Sequence, residues 1–177
     1  MRIIAGDLGG RHFDSPHSRR THPMADKVRG GLFNALGDIH GLTVLDAFAG
    51  SGALSYEAIS RGASHVTAID LDNEAFKTIV ANVEQLGLQD QITVLRKNIN
   101  GWSRNNQDKQ FDIVLADPPY NDIRPDFLQK LVTLVKPGGL FVISWPGKEP
   151  VRPFEGVEPV ANKTYGDAQL VFYRKIS

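Results

Sequence analysis

The chain has 177 residues, of which 41% are hydrophobic and 23% charged, with no cysteine and a formal net charge of zero. This length fits one domain with a sizeable core, and no apolar run approaches the ~18 residues that cross a membrane. The lack of cysteine excludes disulfides and thiolate metal sites. We therefore expect a cytoplasmic protein with no membrane role. We also expect it to work as a monomer.

The N-terminal segment is predicted to form a small hairpin over Arg2–Asp14, with three glycines in its middle, followed by a helix over Ala25–Leu36. Six cationic side chains stand against three aspartates in residues 1–29, although the whole chain is neutral. Such a segment is either an arm that faces nucleic-acid phosphates or a solvated terminus. The cationic residues are Arg2, Arg11, Arg19, Arg20, Lys27 and Arg29.

From residue 43 onward, short apolar runs alternate with amphipathic stretches, which is typical of a parallel sheet covered by helices on both faces. Because Tyr165–Asp167 alone separates Gly156–Lys163 from Ala168–Lys175, these two segments are predicted to form an antiparallel hairpin at one edge of the sheet. The predicted strands before it are Thr43–Phe48, His65–Asp70, Ile92–Arg96, Phe111–Ala116 and Leu140–Trp145. The predicted helices between them are Ala53–Arg61, Asn73–Leu86 and Arg124–Val135, with an exposed turn over Asn100–Gln110.

A glycine loop, Asp46-Ala47-Phe48-Ala49-Gly50-Ser51-Gly52, follows the first strand of this series. Its glycines allow a ligand to approach the backbone at a helix N-terminus. The third glycine of the dinucleotide pattern is replaced by Ser55, and the Gly-Lys pair of a P-loop is absent from the sequence. The Asp46 carboxylate would repel a pyrophosphate and favour an ammonium or sulfonium group. The loop therefore predicts a positively charged, nucleoside-like ligand without phosphate.

The second predicted strand ends in another acid, Asp70. In a Rossmann-like unit, an acid at this place accepts hydrogen bonds from ribose hydroxyls, although a strand-end aspartate can also cap the next helix. Together with the glycine loop and Asp46, this acid indicates a site for S-adenosylmethionine.

The motif Asp117-Pro118-Pro119-Tyr120 directly follows the buried strand Phe111–Ala116. Binding sites of open α/β sheets lie where strands end. The prolines fix φ and leave carbonyls free to accept hydrogen bonds. With Asp117 before them and Tyr120 after, they predict an acceptor-lined slot for a flat ligand that presents an NH₂ group. The alternative is an ordinary turn that ends a strand.

The ordered motifs DAFAGSG, Asp70, DPPY and Lys136–Gly139 resemble the class I S-adenosylmethionine-dependent methyltransferases that methylate amino groups. Residues 2–6, 26–34 and 45–63 are similar to the bacterial 16S ribosomal RNA guanine-N2 methyltransferases. The resemblance implies a Rossmann-like α/β fold with a seven-stranded, mostly parallel sheet. The C-terminal antiparallel hairpin and a small N-terminal β-hairpin extension complete it.

The same resemblance implies methyl transfer from S-adenosylmethionine to the exocyclic N2 of a guanine in 16S rRNA, with S-adenosylhomocysteine as product and without a metal. It implies one domain, with an RNA-docking extension at 1–37 and a catalytic core at 38–177, acting on a small-subunit assembly intermediate. The catalytic residues would be Asp117, Pro118 and Tyr120. The cofactor-binding residues would be Asp46, Ala49, Gly50, Ser51, Gly52, Asp70, Leu71, Asn98 and Asp117. The six N-terminal cations would bind RNA.

The chain departs from the family pattern at some positions. Asn98 stands where the family has an aspartate that contacts the adenine of the cofactor. The segment His22–Gly30 also departs from the family pattern, and this affects the expected contacts with RNA and with the lid of the cofactor site. Three other side chains are given structural roles. We expect Phe48 to be a core residue, and Glu57 and Arg61 to form a surface ion pair at i and i+4.

Three other functions fit parts of the pattern. A DNA adenine-N6 methyltransferase would use the same slot, but such enzymes generally carry a target-recognition insert for which this chain has no room. Protein-glutamine N5 methyltransferases typically begin the motif with Asn, where this chain has Asp117. A noncatalytic RNA-binding module would have no physical need for Asp46, Asp70 and Asp117 together.

Overall fold

The structure of the protein is a computed structural model that describes residues 1–17, 24–120 and 124–176. Arg19 and Arg20, together with His22 and Pro23, lie outside the described residues. The helices are α1 (Asp26–Leu36), α2 (Ala53–Ser60), α3 (Asn73–Leu86), α4 (Ile99–Asn105) and α5 (Pro125–Val132). The strands are β1 (Thr43–Asp46), β2 (His65–Asp70), β3 (Ile92–Arg96), β4 (Phe111–Ala116), β5 (Val135–Pro146), β6 (Val157–Tyr165) and β7 (Ala168–Lys175).

The seven strands form one sheet in the order β3-β2-β1-β4-β5-β7-β6. Strands β1 to β5 pair in parallel, and β7 runs antiparallel to both of its neighbours. The predicted seven-stranded, mostly parallel sheet and its C-terminal hairpin are confirmed. Because the strand order reverses between β1 and β4, a crevice opens at the carboxyl ends of these two strands, where Asp46 and Asp117 stand.

Alternate residues of the central strands enter two separate cores, one on each face of the sheet. Val44 and Ile113 pack in one core, and Leu45 and Val114 pack in the other. This double burial explains why the strands are continuous apolar runs.

The segment after β3 corrects the sequence prediction. An exposed turn was expected over Asn100–Gln110, but α4 covers Ile99–Asn105. The Asn98 side chain caps this helix by accepting from the Asn100 N–H at 2.9 Å. Trp102 is buried against Phe111 with 6.5 Å between ring centroids. Tertiary packing of the tryptophan therefore holds a helix that its polar, glycine-containing sequence does not predict.

The N-terminal segment folds back on itself, as predicted, but it forms one antiparallel bridge between Arg2 and His12 instead of two regular strands. The Ile3 N–H donates to the Arg11 carbonyl at 2.9 Å, and the Gly10 N–H donates to the Ile3 carbonyl at 2.7 Å. Glycine at position 6 is required, because a Cβ there would collide with the backbone of Ser60 in α2. The extension is thus pressed closely onto this helix.

Glu57 of α2 is the centre of this contact. The predicted ion pair with Arg61 is present, but its expected location on the surface is wrong. The Glu57 side chain is fully buried and accepts from the backbone N–H groups of Ile4 and Ala5, at 2.9 and 3.1 Å. The guanidinium groups of Arg29 and Arg61 lie 3.5 and 2.8 Å from its two oxygens. A carboxylate can be buried here because cations and backbone donors surround it.

The position of Arg29 differs from the expectation that this residue binds RNA. Its side chain has no exposed surface, and it donates to the Arg2 carbonyl at 2.7 Å and to Asp26 at 3.0 Å. The prediction that Arg29 contacts RNA is wrong, because a buried guanidinium that is already paired cannot reach a phosphate. Its charge instead neutralises Glu57 and holds the extension against α2.

Removing the Arg29 charge should destabilise the protein strongly. We expect Arg29→Met to lower the free energy of unfolding by about 3–5 kcal/mol, because Glu57 would stay buried without this partner. Urea denaturation followed by circular dichroism measures the change. Lys27→Met, an exposed position on the same helix, is the matched control and should change stability by less than about 0.5 kcal/mol. Equal stability of the two variants would contradict the structural role of Arg29.

Candidate active site

A large cleft, with a volume of about 1480 Å³, opens at the carboxyl edge of the parallel strands. Its lining combines the glycine loop, the residues after β2 and β3, the DPPY motif, and parts of α1 and the C-terminal hairpin. Drug-sized ligands occupy sites of about 300–1,000 Å³. The cleft is therefore large enough for a nucleoside-sized ligand and a second planar group beside it.

Asp70 fixes the glycine loop. Its Oδ2 accepts from the Gly50 N–H at 2.8 Å, and its Oδ1 accepts from the Asp72 N–H at 2.9 Å. Burial raises the pKa of this carboxyl, and these backbone hydrogen bonds oppose the rise. Asp70 thus holds the loop and the start of α3 in position while it remains part of the cleft wall.

Gly52 begins α2 in the left-handed conformation, with φ of 83°. A side chain at this position would collide with the Tyr56 hydroxyl, which donates to the Ser51 carbonyl at 3.0 Å. The second glycine of the loop is therefore required by both its φ angle and the tyrosine behind it.

Asp46 lies behind the glycine loop and is fully buried. Ser55 donates to its Oδ2 at 2.7 Å, whereas its Oδ1 has no hydrogen-bond partner among the described residues. Burial raises the pKa of Asp46 to about 7, the hydrogen bond from Ser55 opposes this rise, and the nearby charges of Asp117 and Asp70 add to it. The site therefore contains a buried acceptor that lacks a donor, which native structures rarely leave unmatched.

Most of the predicted cofactor residues meet at the cleft, and two lie just outside it. Asp46 and Gly52 stand behind its wall, and the others line it. Leu71 presents a 59% exposed apolar side chain there. Asn98, besides capping α4, lines the same end of the cleft. The lining residues of this group are Ala49, Gly50, Ser51, Asp70, Leu71, Asn98 and Asp117.

The DPPY motif forms the opposite wall. Asp117 follows β4 directly and is partly buried, Pro118 is buried, and Pro119 and Tyr120 are exposed. Burial raises the pKa of Asp117 to about 6, and hydrogen bonding by Ser144 opposes this rise. The hydroxyl groups of Tyr120 and Ser144 lie 2.7 Å apart. The motif therefore places a carboxylate and an aromatic ring at the cleft, and their predicted roles stay predictions.

The cleft also contains residues that the sequence did not indicate. Phe48, expected in the core, lines the cleft and packs edge-to-face on Phe127, with 5.8 Å between ring centroids. Tyr165, at the tip of the C-terminal hairpin, reaches so close to α1 that a Cβ on Gly31 would collide with its hydroxyl. The position of Phe48 inside the glycine loop could have signalled its place in the cleft, whereas Tyr165 had no local signal.

The N-terminal cations differ in exposure. Arg2 has a 62% exposed side chain with its Nε 3.8 Å from an Asp26 oxygen, and Arg11 and Lys27 are exposed. Arg29 is buried, and Arg19 and Arg20 lie outside the described residues. Three of the six predicted RNA-binding side chains are therefore shown to be accessible.

Two further observations concern metal sites and membrane-spanning helices. Among the described residues, no cluster of three His, Cys, Asp or Glu side chains could hold a metal ion. Within the same residues, no helix has the length and apolarity needed to cross a membrane.

Comparison with known proteins gives the family. Residues 1–174 match the family model described as Conserved hypothetical protein 95. The chain is 31% identical to ribosomal RNA small subunit methyltransferase D of Haemophilus influenzae, over 98% of this chain and 92% of the relative. The chain belongs to the ribosomal RNA small subunit methyltransferase D family. The resemblance stated from the motifs is confirmed.

Other members and structures agree with this family. The Escherichia coli methyltransferase D is 36% identical over 78% of this chain and 68% of its own length. A solved Escherichia coli structure, yhhF, described as a candidate methyltransferase, superposes with a TM-score of 0.88 at 26% identity, covering 99% of this chain and 98% of that one. The methyltransferase fold predicted from the sequence is confirmed over nearly the whole chain.

The raised pKa of Asp46 predicts a stability that depends on pH. The unfolded value is about 3.9, so between pH 4 and pH 7 the folded chain binds more protons, and the free energy of unfolding falls as pH rises. Asp46→Asn should retain the hydrogen bond with Ser55 and lack this titration. We expect its stability relative to the unmodified protein to increase by roughly 2–4 kcal/mol between pH 4 and pH 8. Urea denaturation at a series of pH values measures this difference.

Asp112 provides a control, because its contribution to stability should change with pH in the opposite direction. Although burial opposes it, hydrogen bonds from Thr43 and the charge of Lys136 lower its pKa in the folded chain. Ionised Asp112 therefore stabilises the fold near neutral pH, and this contribution is lost as pH falls through its folded pKa. Asp112→Asn should be the less stable variant at neutral pH, and the gap should close towards low pH. Parallel curves for Asp46→Asn and the unmodified protein would contradict the prediction.

Proposed function

We propose that the protein transfers a methyl group from S-adenosylmethionine to the exocyclic N2 of a guanine in the 16S RNA of the small ribosomal subunit. One observation carries the proposal: the DPPY slot and the glycine loop with Asp70 face a single cleft in a chain of this methyltransferase family. Relatives named for the small-subunit ribosomal RNA supply the substrate class.

The residues of the cleft fit S-adenosylmethionine, which supplies the methyl group when bound. The unmatched Oδ1 of Asp46 could accept from a ligand ammonium group, and Asp70 could accept from ribose hydroxyls. Leu71 offers an apolar face, and Asn98 offers an amide, at the end suited to an adenine. Asp70 and Asp117 line the cleft near the glycine loop, and Asp46 is buried behind this loop. Carboxylates at this place agree with a cationic ligand better than with a phosphate.

Asp117 and Pro118 would orient the substrate amine. The exocyclic nitrogen of guanine is a poor nucleophile because its lone pair is delocalised into the ring. A carboxylate and a backbone carbonyl that accept its two N–H bonds would direct this lone pair and stabilise positive charge on the nitrogen. With a pKa of about 6, Asp117 is ionised near neutral pH and is also basic enough to receive the proton. Tyr120, 40% exposed beside it, would stack on the base.

The RNA would reach the cleft along the N-terminal extension, residues 1–37. Helix α1 and the residues before it contribute Met24, Ala25 and Val28 to the cleft, and Lys27 is exposed beside them. Arg2 and Arg11 add two further accessible cations. Phosphate contacts from such an arm would position the RNA, and the slot would select the base. We include in the proposal a small-subunit assembly intermediate as substrate, a monomeric enzyme and a cytoplasmic location.

The test is to map the methylated product. The protein and labelled cofactor are incubated separately with naked 16S RNA, assembled small subunits, DNA and protein, and mass spectrometry locates the label. We expect label on a guanine N2 of the RNA or the subunits. Asp117→Ala should reduce transfer by about 10²–10⁴-fold and leave cofactor affinity, measured by calorimetry, nearly unchanged.

The control for this variant is Asp108→Ala, an exposed aspartate near the opposite edge of the sheet, which should methylate normally. Label on DNA adenine or on protein glutamine would establish one of the alternative enzymes, and RNA binding without transfer would establish the noncatalytic alternative. Normal turnover by Asp117→Ala would overturn the assigned role of the carboxylate.

The proposed role of the N-terminal extension gives a separate prediction about the salt dependence of RNA binding. Neutralising Arg2, Arg11 and Lys27 together as glutamines should weaken RNA binding and reduce the slope of log K against log salt by about 3, because each phosphate contact releases counterions. Fluorescence anisotropy with a 16S fragment at several salt concentrations measures both quantities.

A matched triple variant tests whether the position of the charges matters. Lys109, Lys136 and Arg174 stand near the amino ends of β4 and β5, at the edge of the sheet opposite the cleft. Their neutralisation changes the net charge by the same amount and should leave the salt slope nearly unchanged. Equal losses for the two triple variants would show that total charge, and not the arm, controls binding.

A further inference from the structure

Ser144, near the end of β5, is a buried polar residue of the cleft that no motif includes. Its side chain is 5% exposed and lies in the cleft wall. Its Oγ is 2.7 Å from the Tyr120 hydroxyl. Most neighbours of Ser144 on β5 are large apolar residues such as Ile143 and Trp145, so a hydroxyl here is an exception in an apolar strand.

The register of the sheet places Ser144 beside Asp117. Strands β4 and β5 run in parallel, and Ala116 is paired with Ile143. Asp117 and Ser144 are the next residues of these two strands, so their side chains project from neighbouring positions at the carboxyl edge. Ser144 therefore lies beside the position of Asp117 at this edge, and its hydroxyl contacts the hydroxyl of Tyr120.

The available protons allow one arrangement in which Ser144 is hydrogen-bonded to both Asp117 and Tyr120. A serine hydroxyl has one proton to donate, and an ionised carboxylate can accept only. If Ser144 donates to Asp117, Tyr120 must donate to Ser144, which can accept through its lone pairs. Burial raises the pKa of Asp117, and hydrogen bonding by Ser144 opposes this rise. Donation from Ser144 to the carboxylate agrees with this effect, because a hydrogen bond donated to the charged form favours that form.

We propose that Ser144 is a positioning residue of this active site, whose hydroxyl orients the Asp117 carboxylate and holds the Tyr120 ring at the mouth of the slot. The proposal rests on the methyl-transfer function proposed above, because the oriented carboxylate is the group that accepts from the substrate amine. Ser144 touches neither the cofactor nor the base in this role. It acts through the two residues of the motif.

The experiment compares Ser144→Ala with the unmodified protein by two measurements. The first is a ¹³C NMR titration of the Asp117 carboxyl without cofactor or RNA, in which we expect the midpoint to move to higher pH. The second is the pH profile of methyl transfer, in which we expect kcat at neutral pH to fall about tenfold with the cofactor KM unchanged, since a hydrogen bond to a charged group is lost. The acidic limb of the profile should move in the same direction as the NMR midpoint.

Three variants make the result specific. Ser144→Thr keeps a hydroxyl on a strand position and should restore both the midpoint and kcat. Tyr120→Phe should lower kcat and leave the Asp117 midpoint close to that of the unmodified protein, because Ser144 can still donate. Ser103→Ala removes another buried serine, which donates to the Asn100 carbonyl at 3.0 Å in α4, and should change neither quantity.

The outcomes separate this proposal from the proposed function. An unchanged Asp117 midpoint and an unchanged kcat in folded Ser144→Ala would overturn the role of Ser144. If the unmodified protein methylates none of the substrates, the proposed function fails, and the NMR titration still decides whether Ser144 orients Asp117. If Ser144→Ala does not fold, a Ser144→Thr variant with a displaced midpoint would overturn the proposal, and one with the normal midpoint would support it.

Discussion

The buried carboxylate of Glu57 is the interaction on which the arrangement of the molecule depends. It accepts from two backbone N–H groups of the N-terminal extension and is neutralised by Arg29 and Arg61. The same helix, α2, begins at the glycine loop. Because a buried charge tolerates few other geometries, Glu57 fixes the basic extension relative to the cleft. The N-terminal extension and the glycine loop are therefore both held by a single short helix.

A second polar path reinforces this link. The Asn82 side chain exchanges two hydrogen bonds with the Asp14 backbone, at 3.0 and 2.8 Å, and donates to the Tyr56 hydroxyl at 3.2 Å. Tyr56 in turn donates to the Ser51 carbonyl in the glycine loop. The extension thus reaches the loop through neutral groups as well as through Glu57. Since Asn82 and Tyr56 are buried, displacement of the extension would leave the Asn82 amide without its Asp14 partners behind the loop.

The cleft itself concentrates carboxylates in a partly dry environment. Burial raises the pKa values of Asp46, Asp70 and Asp117, and the charges of Asp117 and Asp70 add to the rise at Asp46. This cluster is costly to ionise in the free protein, and a cationic ligand would offset that cost. In the proposed function, the acids on the donor side and on the acceptor side would therefore favour the same kind of ligand. Hydrogen bonding by Ser144 opposes the rise in the pKa of Asp117, a residue that the proposed function uses as a carboxylate.

The sequence by itself determined the order of the strands and of every helix except α4, and it placed Asp70 and Asp117 at the ends of parallel strands. Because carboxyl ends of parallel strands share one edge, it also determined that Asp70 and Asp117 meet. Tertiary structure alone decided that Glu57 and Arg29 are buried partners, that α4 forms around Trp102, and that Phe48, Ser144 and Tyr165 face the cleft. Charge and hydropathy are local properties, whereas burial and pairing depend on residues distant in the chain, as Glu57 and Ile4 illustrate.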